Sequence, residues 1–266
     1  MAKKTVFTRA QWASLNADQE EQLLHLVAPH VRWLAPPLVK AVAAANAEEP
    51  RASNWASQLR HAGIEPRLYL WPGSACAYPG VRRRVGDEKR SDRKSGQALF
   101  LDKTGNTYAK KVWYKLINAF DTLRNGYHLV HLFPHKGYVV TQLIDLLPPI
   151  IHLTDDDAKL VALMRAHGLP GLFTNPANMC YLPGNLTRPT DANTLLQRAL
   201  WHRAITLYGA NALLPPVLAP LAERFLNQNL PADIQWDDDF YGEANRLPSL
   251  LLSQESEFLD LMTSRF

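Results

Sequence analysis

Three histidines, a proline and a lysine interrupt the apolar stretch GYHLVHLFPHKG, Gly126 to Gly137. His128, His131 and His135 are a third of the chain's nine histidines. Imidazole exchanges its proton near neutrality, so such a cluster suits general acid–base work or metal ligation. Lys136 adds a positive charge beside it. In a strand, His128 and His131 are three residues apart and face opposite sides. One is therefore expected to be a packed histidine with a satisfied N–H, and His128 is the expected one. His135 stays open between metal ligand, phosphate contact and plain surface residue.

A second informative stretch is GLFTNPANMCYLPGNLTRPTDANTLLQRALWHRAITLYG, which starts at Gly171. NMCYL reads as a short strand opened by Asn178, and PGN as a turn. PTDAN reads as a helix start, with Thr190 or Asp191 as N-cap. Leu196, Leu200, Ala204 and Leu207 then share one helical face. Asn185 and Asp191 offer oxygen donors, which hard cations prefer, and Asp191 is the stretch's one carboxylate. His202 lies farther along the helix, roughly opposite the leucine stripe.

The third feature is the run Arg82 to Lys94, with seven basic residues against three acidic. It reads either as a solvated loop or as a phosphate-gripping arm led by Arg82, Arg83 and Arg84.

The elements that must position these residues are mostly helical. NADQEEQLLHLVAPHVRWLA reads as a helix broken by Pro36-Pro37, with a short helix after it. SNWASQLRHAGIEP reads as a helix closed by Gly63, and TDDDAKLVALMRAHG as one opened by Thr154 with Asp157. RLYLWPGSACAYPGV reads as a short strand and turns. Asp102 to Asn106 suggests a turn, Tyr108 to Leu123 a helix, YVVTQLIDLLPPIIHL a helix or strand, and SLLLSQESEFLDLM a final amphipathic helix. The texture divides the chain into a helical region 1–65, a basic, turn-rich connector 66–100, and a remainder 101–266.

Composition narrows the choices. The chain has 266 residues and a net charge of +4, a mild bias toward anionic partners. Cys76 and Cys180 are too few and too far apart for a zinc ribbon or disulfide framework, and read as free thiols in a reducing cytoplasm. The N-terminus turns polar too soon for a secretory signal, and no run reaches the ~18 apolar residues of a membrane span. No Gly-rich phosphate loop, GxSxG elbow or HExxH is present, which disfavours an ATPase, Rossmann enzyme, esterase or zincin. Nucleotide control would have to come from a regulatory ATPase or another partner chain.

Taken together, HLFP (His131 to Pro134) and NMCYLPGN (Asn178 to Asn185) resemble the HNH, or ββα-metal, endonuclease family of bacteria. The resemblance implies an α+β, helix-rich fold with a small embedded hairpin-and-helix core in 101–266. It implies His131 as general base, Asn178 as the acceptor of its far N–H, and a single divalent ion, Mg²⁺ or Mn²⁺ with Zn²⁺ or Ni²⁺ as alternatives. Asn185 and Asp191 are then the expected metal ligands, His135 a further catalytic group, and Lys136 with Arg82, Arg83 and Arg84 the nucleic-acid contacts. Two positions depart from the family pattern: Val130 stands where an Asp often ligates, and Thr187 where the helix-side ligand is usual. Three functions follow as expectations: a metal-dependent nuclease acting on DNA or RNA in antiviral defence, a non-catalytic nucleic-acid-binding or assembly protein on a degenerate HNH fold, or an unrelated helical protein with structural histidines.

Overall fold

A computed structural model describes residues 8–61, 63–79, 81–83, 100–102, 126–132, 153–187, 189–191, 194–226 and 230–242. The expected turn beyond Asp102, the helix at 108–123, the segment 138–152 and the final helix lie outside the described residues. So do Arg84, His135 and Lys136.

After a short helix α1 (Arg9–Ala13), α2 (Ala17–Val27) starts at a reciprocal cap. Asn16 accepts from the Gln19 N–H at 2.9 Å, and the Gln19 side chain accepts from the Asn16 N–H at 3.1 Å. A 3₁₀ turn at Ala28–His30 ends it. The expected helix does not continue: Arg32–Leu34 is a strand, β1. Pro29 and the Pro36-Pro37 pair confine that segment, and the pair begins α3 (Pro36–Ala47) from its first turn, where a proline costs no hydrogen bond.

Helix α4 (Arg51–His61) closes as the sequence predicts. Gly63 has φ +73°, its N–H reaches the Arg60 carbonyl, and the Ile64 N–H reaches that of Leu59. This is a Schellman closure, for which glycine is the favoured residue. RLYLWPGSACAY forms no strand among the described residues. It is a 3₁₀ turn (Pro66–Leu68) followed by irregular chain that buries Tyr69, Trp71, Cys76 and Tyr78. Arg82 and Arg83 are not in a loop either: they lie in β2 (Val81–Arg83), paired in parallel with β3 (Phe100–Asp102).

The main sheet has the order β4-β5-β1-β6, with β4 (Tyr127–His131), β5 (Met179–Pro183) and β6 (Phe240–Tyr241). β4 and β1 both run antiparallel to β5, and β6 runs parallel to β1. Helix α5 (Asp155–His167) takes Thr154 as N-cap, whose hydroxyl accepts from the Asp157 N–H at 3.1 Å. Helix α6 spans Thr194–Tyr208, followed by α7 (Ala210–Leu213) and α8 (Ala219–Leu226). It starts later than PTDAN suggests. Residues 189–191 form their own 3₁₀ turn, and the Thr190 hydroxyl donates to the Thr187 carbonyl at 2.6 Å.

The architecture is α+β and helix-rich. The N-terminal β1 sits between β5 and β6, so regions 1–65 and 101–266 build one sheet. They also share one core, with Leu24, Trp33, Leu38, Tyr181, Leu196 and Leu200 all buried in it. Each such side chain is worth roughly 1.5–3 kcal/mol of transfer free energy. No helix among the described residues is long and apolar enough to cross a membrane.

Candidate active site at the hairpin and crossing helix

β4 and β5 are paired from Tyr127↔Pro183 at one end to His131↔Met179 at the other. Alternation puts Tyr127, Leu129 and His131 on one face and His128 and Val130 on the other. Leu129 is buried, so His131 shares the interior face and is half-buried, while His128 is exposed. The sequence expectation is therefore inverted: the packed histidine with a satisfied N–H is His131. Leu129 and Val130 are both apolar, so the strand's parity was readable but its inward face was not.

The His131 ring lies 5.0 Å from the Phe173 ring, nearly parallel at 14°. Its Nε2 is 2.9 Å from the Phe173 carbonyl oxygen. A carbonyl can only accept, so Nε2 carries the hydrogen and the lone pair of the neutral ring is on Nδ1. The acceptor of the far N–H is thus a main-chain oxygen of the 3₁₀ turn Pro170–Phe173, and not Asn178 as the resemblance implied.

Asn178 acts one step away. It is fully buried at the end of a second 3₁₀ turn, Pro176–Asn178, directly before β5. Its Nδ2 donates to the Leu172 carbonyl at 2.9 Å, and its own carbonyl accepts from the Leu132 N–H at 2.9 Å. One residue therefore ties the end of β4 to the turn that carries the His131 acceptor. That turn is held from behind as well: a Cβ on Gly171 would meet the Tyr69 carbonyl oxygen at 2.5 Å. Only glycine lets the two backbones approach this closely.

Helix α6 crosses the sheet beside this end. The Trp201 indole N–H donates to the Leu132 carbonyl, and the Tyr208 hydroxyl donates to the Leu34 carbonyl at 2.7 Å. The two donors are separated by about 10 Å along the helix at 1.5 Å per residue. β4 and β1, two strands apart, are separated by about the same distance. The helix therefore runs across the strands past the ends of β4 and β1. Burial raises the Tyr208 hydroxyl's proton affinity, which keeps it a donor.

The structure brings His131 and Asn178 together and leaves other expected residues elsewhere. Asn185 is exposed in the 3₁₀ turn Gly184–Leu186, which follows the opposite end of β5. By strand rise that end is roughly 13 Å from His131. Asp191 belongs to the turn Pro189–Asp191 that precedes α6. Thr187 donates its hydroxyl to the Gly184 carbonyl at 3.1 Å. His202 is half-buried on α6. Among the described residues, no three His, Cys, Asp or Glu side chains converge at the hairpin; the one such convergence is Glu21, His25 and Asp233.

Both cysteines are free and buried, as expected. Burial pushes the Cys76 thiol up to about 11, against the weaker opposing effect of its Thr174 contact, and burial raises Cys180 as well. Neither is suited to thiolate chemistry.

Compared with protein-family models, curated proteins and solved structures, the chain gives no match. Sequence reasoning missed Phe173, Leu172 and Trp201. Phe173 and Leu172 contribute main-chain carbonyls, which no residue type announces. A sequence signal did exist for Trp201, which stands at i and i+7 with Tyr208, one polar-tipped aromatic face on a predicted helix.

Proposed function

We propose that the protein is a metal-dependent nuclease of the HNH type that hydrolyses phosphodiester bonds in DNA or RNA, with His131 as general base. The observation that carries this reading is the bond from His131 Nε2 to the Phe173 carbonyl. It selects the tautomer with a basic Nδ1, and the same carbonyl stabilises the imidazolium formed when Nδ1 takes a proton from water. Stacking on Phe173 fixes the ring plane, and Asn178 positions the ring by fixing the turn beneath it. A divalent ion would neutralise charge on the phosphate and leaving oxygen, with Asp191 as its proposed oxygen ligand; Asn185, at the far end of β5 from His131, is not part of this proposal. Arg82, Arg83, Arg84 and Lys136 are proposed to grip the nucleic-acid backbone, and antiviral defence in the cytoplasm is the setting we assign by family resemblance.

A second reading, nucleic-acid binding without cleavage, draws support from Val130 and from the Thr187 hydroxyl, which donates to its own turn. Two assays separate the readings. In the first, His131→Ala is expected to lower the Mg²⁺- or Mn²⁺-dependent cleavage rate by about a hundredfold or more. In the second, reversing Arg82–Arg84 is expected to flatten the salt dependence of binding by about one slope unit for each phosphate no longer neutralised. Salt-dependent binding with no cleavage in any divalent metal selects the second reading. Cleavage by His131→Ala at the wild-type rate rules out His131 as the base.

A further inference from the structure

We propose that Glu21, His25 and Asp233 form a binding site for a borderline divalent cation of the Zn²⁺ class, separate from the hairpin. Glu21 and His25 are one turn apart on α2 and so share a face. Asp233 arrives from the segment 230–242, more than two hundred residues farther along the chain. His25 Nε2 lies 3.8 Å from Glu21 Oε1 and 3.8 Å from Asp233 Oδ1, and the three ligand atoms all fall within 4.8 Å of one another.

Two observations favour a metal over an accidental meeting of surface charges. First, both carboxylates face a single imidazole, and among the described residues neither forms an ion pair with a lysine or arginine. The group therefore gathers two carboxylates around one imidazole nitrogen, with one another and solvent as their partners among the described residues, which is a donor set that a divalent ion would bridge. Second, the position of Asp233 is fixed by the fold. Its segment is anchored by the ion pairs Arg32–Asp237 and Arg203–Asp238, by β6 on β1, and by the edge-on contact of Trp236 with Trp33. α2 is equally fixed by its cap and its buried Leu23, Leu24 and Val27.

One imidazole with two carboxylates suits Zn²⁺, Co²⁺ or Cu²⁺ better than Mg²⁺, which holds its water and prefers all-oxygen sites. The half-buried His25 and the exposed carboxylates leave positions for water, so the site is open on one side. A bound ion would pin the 230–242 segment to α2 and raise the unfolding temperature in proportion to its occupancy. Metal and proton compete for the same nitrogen, so acid weakens binding.

The test is calorimetric titration of Zn²⁺ into the full chain beside His25→Ala and Asp233→Asn, with unfolding temperatures measured with and without Zn²⁺. The proposal expects each variant to bind one equivalent fewer than wild type and to lose the Zn²⁺-dependent rise in unfolding temperature. It also expects Mg²⁺ to be bound no differently by the three proteins. Equal Zn²⁺ stoichiometry and affinity in wild type and both variants would overturn it. Cleavage in Mg²⁺ should be unchanged in His25→Ala. This separates the site from the nuclease reading, which can fail or stand without affecting it.

Discussion

The hairpin end around His131 and the clasp around Asp233 use polar groups in opposite ways. At the hairpin, the polar groups are half-buried or buried and bonded to main-chain partners: His131 to Phe173, Asn178 to Leu172 and Leu132, Trp201 to Leu132. At the clasp the polar groups are ionisable side chains nearer the surface, and their partners are other side chains: Arg203 with Asp238, His25 with Glu21 and Asp233. Buried bonds to fixed carbonyls set geometry, because losing one leaves a carbonyl unpaired in a low-dielectric interior. Exposed charge pairs contribute little to stability but stay open to ions. The comparison sets fixed geometry at His131 against an adaptable, solvent-facing cluster, the proposed ion site, at His25.

The largest expected effect in this contrast is at Trp201. Trp201→Ala removes a buried ring and leaves the Leu132 carbonyl without its donor, so urea denaturation should show a loss of about 3–5 kcal/mol. A loss under ~1 kcal/mol would mean that α6 does not bind the hairpin as described.

Next is Asn178→Ala, which should cost about 1–3 kcal/mol by removing the buried bond from the Asn178 side chain to the Leu172 carbonyl. It should also lower cleavage less than His131→Ala does, because the base is displaced and not removed. A variant as stable as wild type but fully inactive would instead place Asn178 in contact with substrate or metal.

At the clasp, Asp238→Asn should change stability by less than about 1 kcal/mol, and the difference should shrink as salt is raised. A larger, salt-insensitive loss would make the clasp a structural element of the same kind as the hairpin.

A further effect appears only at alkaline pH. The folded state holds Cys76 protonated up to about 11, above its ordinary 9.0, chiefly through burial. Its contribution to stability is complete below pH 9 and is lost as pH rises toward 11, since the unfolded chain then releases a proton that the folded chain keeps. Below pH 9, iodoacetamide should label neither cysteine until the chain unfolds. Rapid labelling of the native protein would contradict the burial.

The sequence disclosed whatever depends on local chemistry. α4 stops and α5 starts at readable caps, Gly63 and Thr154, and NMCYL was legible as a strand because apolar residues run between two turn signals. β1 was not legible: Arg32–Leu34 is too short to show a period of two and lies in a stretch whose apolar spacing fits a helix. For the site, the pairing of His131 with the Asn178 end of β5 followed from the motif order, but the inward face of β4 did not. The Phe173 acceptor was hidden because every residue has a carbonyl. The meeting of His25 with Asp233 was hidden because it depends on the parallel pairing of β6 with β1, which no local pattern encodes.

Chemical rescue tests the central claim, that His131 is a base oriented by the Phe173 carbonyl, most directly. His131→Gly, assayed on DNA and RNA in Mg²⁺ and in Mn²⁺ with folding checked by circular dichroism, should cleave at least about a hundredfold more slowly than wild type. Added imidazole should restore the rate in proportion to its concentration, more at pH 8 than at pH 6, because only the neutral ring accepts a proton. A folded His131→Gly that cleaves like wild type without imidazole, or a wild-type protein that cleaves neither substrate in either metal, would contradict the claim.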